Sequence, residues 1–290
     1  MTGSNDARTF AGRRALVTGG SRGIAAELSR ALACRGALVG VNFSAAADGH
    51  FGKESAAETL VSHIRAAGGE AVSIEQDLLL EGGGRSLAEK ARLAIGPIDT
   101  LVLSASIQCH VPFLRQSADQ IADQIQINLV SNIELLQAVL PDMVRRGYGR
   151  ILTIGSIQEV SPTAEMPIYS MTKAAMKNLA ENLAAQGGRQ GIIVNNIAPG
   201  LIETDRNAFR RRNPDAWKEL QENANPVGRA GVPADLVAMA MHLLSPENTF
   251  TTGATIYATG GSHIPNAGQS GAGGFVLPAS GSEEERAATG

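Results

Sequence analysis

Short runs of aliphatic and β-branched residues alternate with longer stretches of helical periodicity from residue 13 to about residue 260. The runs RALVTGG, ALVGVNF, AVSIEQD, DTLVLSAS, GRILTIGS, GIIVNNIAPG and ATIYATGG predict seven strands. Most are apolar throughout, the mark of strands covered on both faces. Between them AAELSRALACRG, AAETLVSHIRAAGG, SLAEKARLAIG, QINLVSNIELLQAVLPDMVRRG, AEMPIYSMTKAAMKNLAENLAAQGG and PADLVAMAMHLLSP predict helices. Strand, helix, strand with right-handed crossovers builds an α/β fold, a doubly wound seven-stranded parallel sheet with helices on both faces.

Glycines at Gly36, Gly68, Gly147 and Gly187 close predicted helices, where a left-handed residue is needed. Pro141 falls inside a helix over 128–146 and predicts a kink. The chain has 290 residues, 43% of them hydrophobic, which suits one domain, since single cores grow to about 250–300 residues. Residues 1–10 and the Gly/Ala/Ser-rich tail from Asn266 read as flexible ends, with FVLP in the tail a candidate for docking on a neighbouring subunit.

A net charge of −3 provides no basic field for a nucleic acid or an anionic membrane. Cys34 and Cys109 are too few for a disulfide framework and lie in no metal-ligand spacing with the histidines, so no metal is expected and a cytoplasmic setting is. The N-terminus lacks the apolar core of a signal peptide, and no stretch reaches the roughly 18–20 apolar residues that span a bilayer.

The stretch LVTGGSRGIAAELSRAL, 16–32, runs from a strand into a helix through a turn holding Gly19, Gly20 and Gly23. Unpaired N–H groups and the helix dipole make such a turn an anion site, suited to a pyrophosphate. A glycine turn also simply joins strand to helix, but opening a long alternating chain it points to a dinucleotide.

The spacing of Thr18, Gly19 and Gly23 resembles the cofactor loop of the short-chain dehydrogenase/reductase family, a Rossmann-like fold, with Ala25 where a third glycine is usual. The resemblance covers about residues 10–262. It implies a catalytic domain over 11–264, a substrate lid near 205–223, and a homotetramer or homodimer packed on helices 117–146 and 167–187.

For the cofactor it implies contacts from Thr18, Gly19, Ser21, Arg22, Gly23 and Ile24 in the turn, and from Asn42, Phe43 and Ser44 after the second strand. Asp77 and Leu78 would meet the adenine, and Ser104 follows the fourth strand. Phe43 stands where NAD-using relatives carry an acid that would repel a 2′-phosphate, and Arg22 matches a basic residue of NADP-using ones, so NADP(H) is favoured over NAD(H). Arg22 also reads as a solvated loop charge, and Asp77 as a turn or helix-cap carboxylate.

Tyr169 and Lys173 in YSMTK are four residues apart and share one helix face. An ammonium beside a phenol stabilises the phenolate and makes tyrosine usable as a base. Alone, the pair is ordinary helix surface. Ser156, thirteen residues before Tyr169, ends an apolar strand, where ligand-binding residues collect in parallel sheets.

With Asn128 in IQINLVSN, the four residues resemble the family's Asn–Ser–Tyr–Lys tetrad. The resemblance implies that Tyr169 moves the proton, Ser156 holds the reacting oxygen, Lys173 tunes Tyr169 and binds the nicotinamide ribose, and Asn128 holds a relay water. Asn195, Pro199, Gly200, Ile202 and Thr204 would cradle the nicotinamide. Ser104-Ala105-Ser106 departs from the family's NNAG, and Ala258-Thr259-Gly260-Gly261 from its VDGG.

Gln108, His110, Gln158, Glu159 and Met166, with Ser156 and Tyr169, are substrate-pocket candidates by family position, a polar set. Arg206, Arg210, Arg211 and Arg212 in the lid segment suit an anion, or form a solvated helix face. Together these features imply reduction of a ketone, or oxidation of a secondary alcohol, on a small polar or polyketide-like molecule. The alternatives are 3-oxoacyl-thioester reduction, a dinucleotide-sensing protein without turnover, and a purely structural assembly.

Overall fold

The computed structural model describes residues 8–265; residues 1–7 and the tail from Asn266, FVLP included, lie outside the described residues. In chain order the elements are β1 (Arg14–Val17), α1 (Gly23–Cys34), β2 (Leu38–Phe43), α2 (Ala45–His50), α3 (Ala56–Ala66), β3 (Glu70–Glu75), α4 (Gly83–Ile95) and β4 (Thr100–Leu103). There follow α5 (Ala118–Ile125), α6 (Ser131–Arg146), β5 (Gly149–Ile154), α7 (Pro167–Gly187), β6 (Ile192–Pro199), α8 (Pro214–Ala224), α9 (Val237–Leu244) and β7 (Thr255–Ala258).

The seven strands pair in parallel in the order β3-β2-β1-β4-β5-β6-β7. Successive strand residues face opposite sides of a sheet. Ala15 and Val17 therefore join Leu28 of α1, Leu60 of α3 and Leu243 of α9 in one core layer, while Leu16 joins Leu87 of α4, Leu135 of α6 and Met176 of α7 in the other. The order reverses between β1 and β4, which opens a crevice at their C-terminal ends.

Three expectations are corrected. The segment expected to be flexible through residue 10 includes Phe10, which is fully buried and whose N–H donates to the Arg35 carbonyl at 2.9 Å. Its ring belongs to the core layer under α1, so the folded region begins before residue 11. Gly187 does not end its helix in the left-handed region: it has φ −87°, and Gly191, at φ 76°, makes the stop after one 3₁₀ turn. Gly36, Gly68 and Gly147 do take positive φ.

Pro141 lies inside α6, which runs on to Arg146. The break in this stretch falls earlier, as a π-helical turn over Gln126–Val130. Such turns arise where a side chain draws the helical ladder out of register, and Asn128 sits at this one.

The tightest packing in the glycine turn is at Gly20, where a Cβ would lie 2.9 Å from the Val17 carbonyl oxygen and 3.1 Å from Val41 Cγ1. Ala25, in contrast, is already accommodated, 2% exposed within the core. Gly20→Ala is expected to cost about 1–3 kcal/mol through overpacking, read as a lower urea midpoint with unchanged m.

Candidate functional site

The turn after β1 is pinned from three sides. The Thr18 hydroxyl oxygen accepts the N–H groups of Ser104 (2.9 Å) and Ala105 (3.0 Å) beyond β4. The Gly19 N–H donates to Asn42 Oδ1 at 3.2 Å, and the Gly20 N–H to the Asn42 carbonyl at 2.7 Å. Gly19 and Gly23 have φ of 59° and 56°, and a Cβ on Gly19 would meet Ala105 Cα at 3.1 Å. Because Thr18 grips backbone rather than side chains, the Ser104-Ala105-Ser106 replacement leaves this junction intact.

A cavity of about 770 Å³ opens over the turn and runs across the ends of β1, β4, β5 and β6, towards the upper end of the range for small-molecule and cofactor sites. Gly19, Ser21, Arg22, Gly23, Ile24, Asn42, Phe43, Ser44, Asp77, Leu78 and Ser104 line one part. Gln108, His110, Ser156, Gln158, Met166, Tyr169, Lys173, Pro199, Gly200, Ile202 and Thr204 line the rest.

Thr18, Asn128, Glu159 and Asn195 are not among its walls, nor are Arg211 and Arg212 of the lid segment. Thr18 is fully buried beneath the turn and shapes it. Asn195, within β6, donates to the Thr251 carbonyl and accepts from the Ala254 N–H at 2.8 and 3.0 Å, tying the strand to the loop before β7. Glu159 turns inward, accepting from Asn196 Nδ2 at 2.9 Å.

The Asn128 amide has partners on both sides. It accepts from the Ile107 N–H and donates to the Ile107 carbonyl, each at 2.9 Å, and donates to Thr172 Oγ1 at 3.0 Å. Through these bonds it ties the loop after β4 to the helix carrying Tyr169 and Lys173.

At the other end of the cavity, Ser44 Oγ donates to Asp77 Oδ2 at 3.1 Å, and Asp77 Oδ1 accepts the Leu79 N–H at 2.8 Å. Arg22 is no solvated loop charge: its Nε meets Asp48 Oδ1 at 2.7 Å, and its guanidinium lies 4.1 Å over the Phe51 ring. Ser21 Oγ donates to the same carboxylate oxygen at 3.0 Å.

Tyr169 is 5% exposed, with the Lys173 ammonium 5.6 Å from its ring centre. Lys173 Nζ donates to the Ile154 carbonyl at 2.7 Å, which anchors it to the end of β5. Burial pushes the phenol up, but the Lys173 and Arg206 charges, with smaller help from nearby Ser156, outweigh it and hold Tyr169 below its ordinary value. Burial likewise pushes Lys173 down, against an upward pull from Tyr169. Ser156 Oγ accepts the Gln158 N–H at 3.2 Å, which leaves its own proton to donate.

Sequence reasoning missed Asp48 and left Arg206 open. Asp48 lies in SAAADGH, which carries no pattern to set it apart. Arg206 follows Thr204 by two residues, and that closeness to a predicted cofactor contact was the available signal.

A glycine turn at the switch point of a doubly wound sheet, with a buried Tyr/Lys pair beside a strand-end serine, defines a dinucleotide-dependent oxidoreductase site. A family model described as short chain dehydrogenase matches residues 13–215. The chain is 32% identical over 253 residues to L-rhamnose 1-dehydrogenase (NADP(+)) of Thermoplasma acidophilum, covering 87% of this chain and 96% of that protein.

It is also 32% identical to a 3-oxoacyl-[acyl-carrier-protein] reductase of Escherichia coli, covering 88% and 99%. Among solved structures, a 3-oxoacyl (acyl-carrier-protein) reductase from Agrobacterium tumefaciens with NADP bound superposes with a TM-score of 0.81 at 39% identity, covering 87% and 95%. A gluconate 5-dehydrogenase from Burkholderia cenocepacia in complex with NADP and tartrate gives 0.78 at 31%, covering 89% and 97%. The chain belongs to the short-chain dehydrogenase family: it is an oxidoreductase acting between CH–OH and C=O groups with a nicotinamide cofactor. Among the described residues, no helix is long and apolar enough to cross a membrane.

Proposed function

We propose that this chain reduces a ketone, or oxidises the matching secondary alcohol, of a small polar molecule with NADP(H), using Ser156, Tyr169 and Lys173. The observation that carries this reading is the buried Tyr169 phenol with the Lys173 ammonium 5.6 Å from its ring centre, held below its ordinary value chiefly by Lys173 against burial. The cofactor fits the crevice: the glycine turn presents backbone where Gly19 and Gly20 leave no room for a side chain. A bound nicotinamide supplies or accepts the hydride at the substrate carbon.

In reduction Tyr169 gives its phenolic proton to the carbonyl oxygen; in oxidation it takes that proton back from the alcohol. Ser156 donates to the same oxygen, stabilising the charge that develops there. Lys173 stabilises the phenolate through its charge. Asn128 is a positioning residue, acting through Thr172 and the Ile107 backbone.

NADP(H) rather than NAD(H) is supported by Arg22. Its bond to Asp48 uses Nε, which leaves the two terminal nitrogens for a 2′-phosphate; Ser44 and Phe43 add no negative charge. Arg22→Ala is expected to weaken NADPH binding about tenfold or more and leave NADH binding nearly unchanged, measured by fluorescence titration. Equal losses for both would remove the argument for selectivity.

The polar substrate is supported by Gln108, His110 and Gln158 on the wall, and by relatives named for sugars and sugar acids. The second reading, 3-oxoacyl-thioester reduction, is supported by the 39% identical reductase named for that reaction. Assembly through α5, α6 and α7 accords with apolar Val130, Ile133 and Met171 exposed there. A screen of ketones and alcohols with both cofactors, followed by absorbance of the reduced nicotinamide, tests the reading. Turnover only of acyl thioesters would select the second.

A further inference from the structure

Gln158 is the wall residue whose part in the chemistry the scheme above leaves unspecified. It is 8% exposed and lies in the 3₁₀ turn that follows β5 and Ser156. Its backbone N–H donates to Ser156 Oγ at 3.2 Å. Its side-chain oxygen, Oε1, accepts the Thr163 N–H at 2.7 Å and the Ser170 hydroxyl at 2.9 Å. A backbone N–H can only donate, so the Thr163 bond fixes which end of the amide faces it.

The other end, Nε2, keeps two protons to give. Among the described residues it has no partner, and it is not sealed from solvent as the partnerless oxygens of Gln124 and Asn132 are. The space onto which this buried residue opens is the cavity it lines.

The amide is held from both sides of the reacting centre. Its own backbone bonds Ser156, and its oxygen bonds Ser170, the neighbour of Tyr169. A loose donor would turn to find a partner, but this one has its direction set before any substrate arrives.

Such a donor discriminates through what happens when it is not matched. An acceptor oxygen replaces the water on Nε2 bond for bond. A methylene displaces that water and leaves the donor unpaired, which costs more than one neutral hydrogen bond contributes.

We infer that the substrate carries a second oxygen, besides the reacting one, that accepts a hydrogen bond from Gln158 Nε2, and that this donor selects against plain alkyl ketones. The inference rests on the proposed Ser156 and Tyr169 chemistry for which carbonyl reacts. It narrows the substrate class at that site to oxygenated ketones, such as hydroxyketones, alkoxyketones and 3-oxo esters. Both readings given above meet this demand, and a plain ketone does not.

The test uses two matched pairs: 1-methoxypropan-2-one beside pentan-2-one, and methyl 3-oxobutanoate beside hexan-2-one. The members of a pair share chain length and differ in oxygen. Binding is read by ligand-observed NMR titration of the enzyme loaded with NADP+, which has no hydride to give a ketone. In at least one pair the oxygenated ketone is expected to bind about tenfold more tightly or better.

Gln158→Glu keeps an oxygen for Thr163 and Ser170 and turns the cavity-facing donor into an acceptor, so it is expected to abolish the preference. Gln158→Met, of similar length and with no donor, is expected to level the pairs. It carries the test if the buried carboxylate of Gln158→Glu lowers the urea midpoint too far for assay. Turnover with NADPH is expected to show the same preference in kcat/KM, lost in both variants.

Equal binding within both pairs, a preference that survives in either variant, or no binding of any of the four ketones overturns the inference. The Tyr169 chemistry is judged separately: it fails if Tyr169→Phe reduces any accepted ketone at the wild-type rate, whatever the pairs show.

Discussion

Tyr169→Phe is expected to lower turnover of any accepted carbonyl by about 10²–10⁴-fold, the usual contribution of a positioned proton donor. The substitution removes only the hydroxyl. The ring keeps its packing, and the Lys173–Ile154 bond at 2.7 Å keeps its partner. Cofactor binding is therefore retained, and the loss falls on kcat. Single-turnover oxidation of NADPH followed by absorbance separates the chemical step from release. An unchanged single-turnover rate would place the proton donor elsewhere and remove the reading of this site.

Lys173→Met is expected to be nearly as damaging, and its pH dependence gives the sign. Burial raises the Tyr169 phenol, and the Lys173 charge is the largest force against it, ahead of Arg206. Without the ammonium, burial dominates and the phenol moves up. Oxidation of an alcohol needs the phenolate, so its rate rises with pH through the phenol's value. In the wild type that rise ends below the ordinary phenol range; in Lys173→Met it moves to higher pH. At neutral pH a phenol that is a tenfold weaker acid holds about a tenth of the phenolate. Reduction needs the protonated phenol, so its fall at high pH shifts upwards in the same variant. Profiles of kcat against pH in both directions check this, and a limb that stays in place would mean that Lys173 does not tune Tyr169.

The sheet was legible because strands buried on both faces leave uninterrupted apolar runs, and each run found its place as a strand. The site was legible to the extent that it depends on short, fixed spacings. Thr18 to Gly23 lies within one turn, and Tyr169 to Lys173 lies along one helix face.

What escaped depends on long-range approach. Arg22 meets Asp48 from 26 residues away, and Arg206 meets Ser106 from 100; no local period encodes either distance. Asn128 illustrates a different limit. Its position was readable, but the bonds of its amide to Ile107 and Thr172 depend on how the β4 loop and α7 converge. Gly187 and Gly191 show that a glycine's presence near a helix end does not say which one takes the left-handed conformation.

The π turn over Gln126–Val130 has a geometric effect beyond Asn128. Each residue advances an α-helix by about 100°, so the one extra residue in a π turn rotates everything after it by that angle. Upstream of it α5 packs on α7, and downstream α6 packs on α4. The two halves of one rod are thus out of phase, each aiming its apolar stripe at a different neighbour, which a helix of unbroken periodicity would do for only one of them.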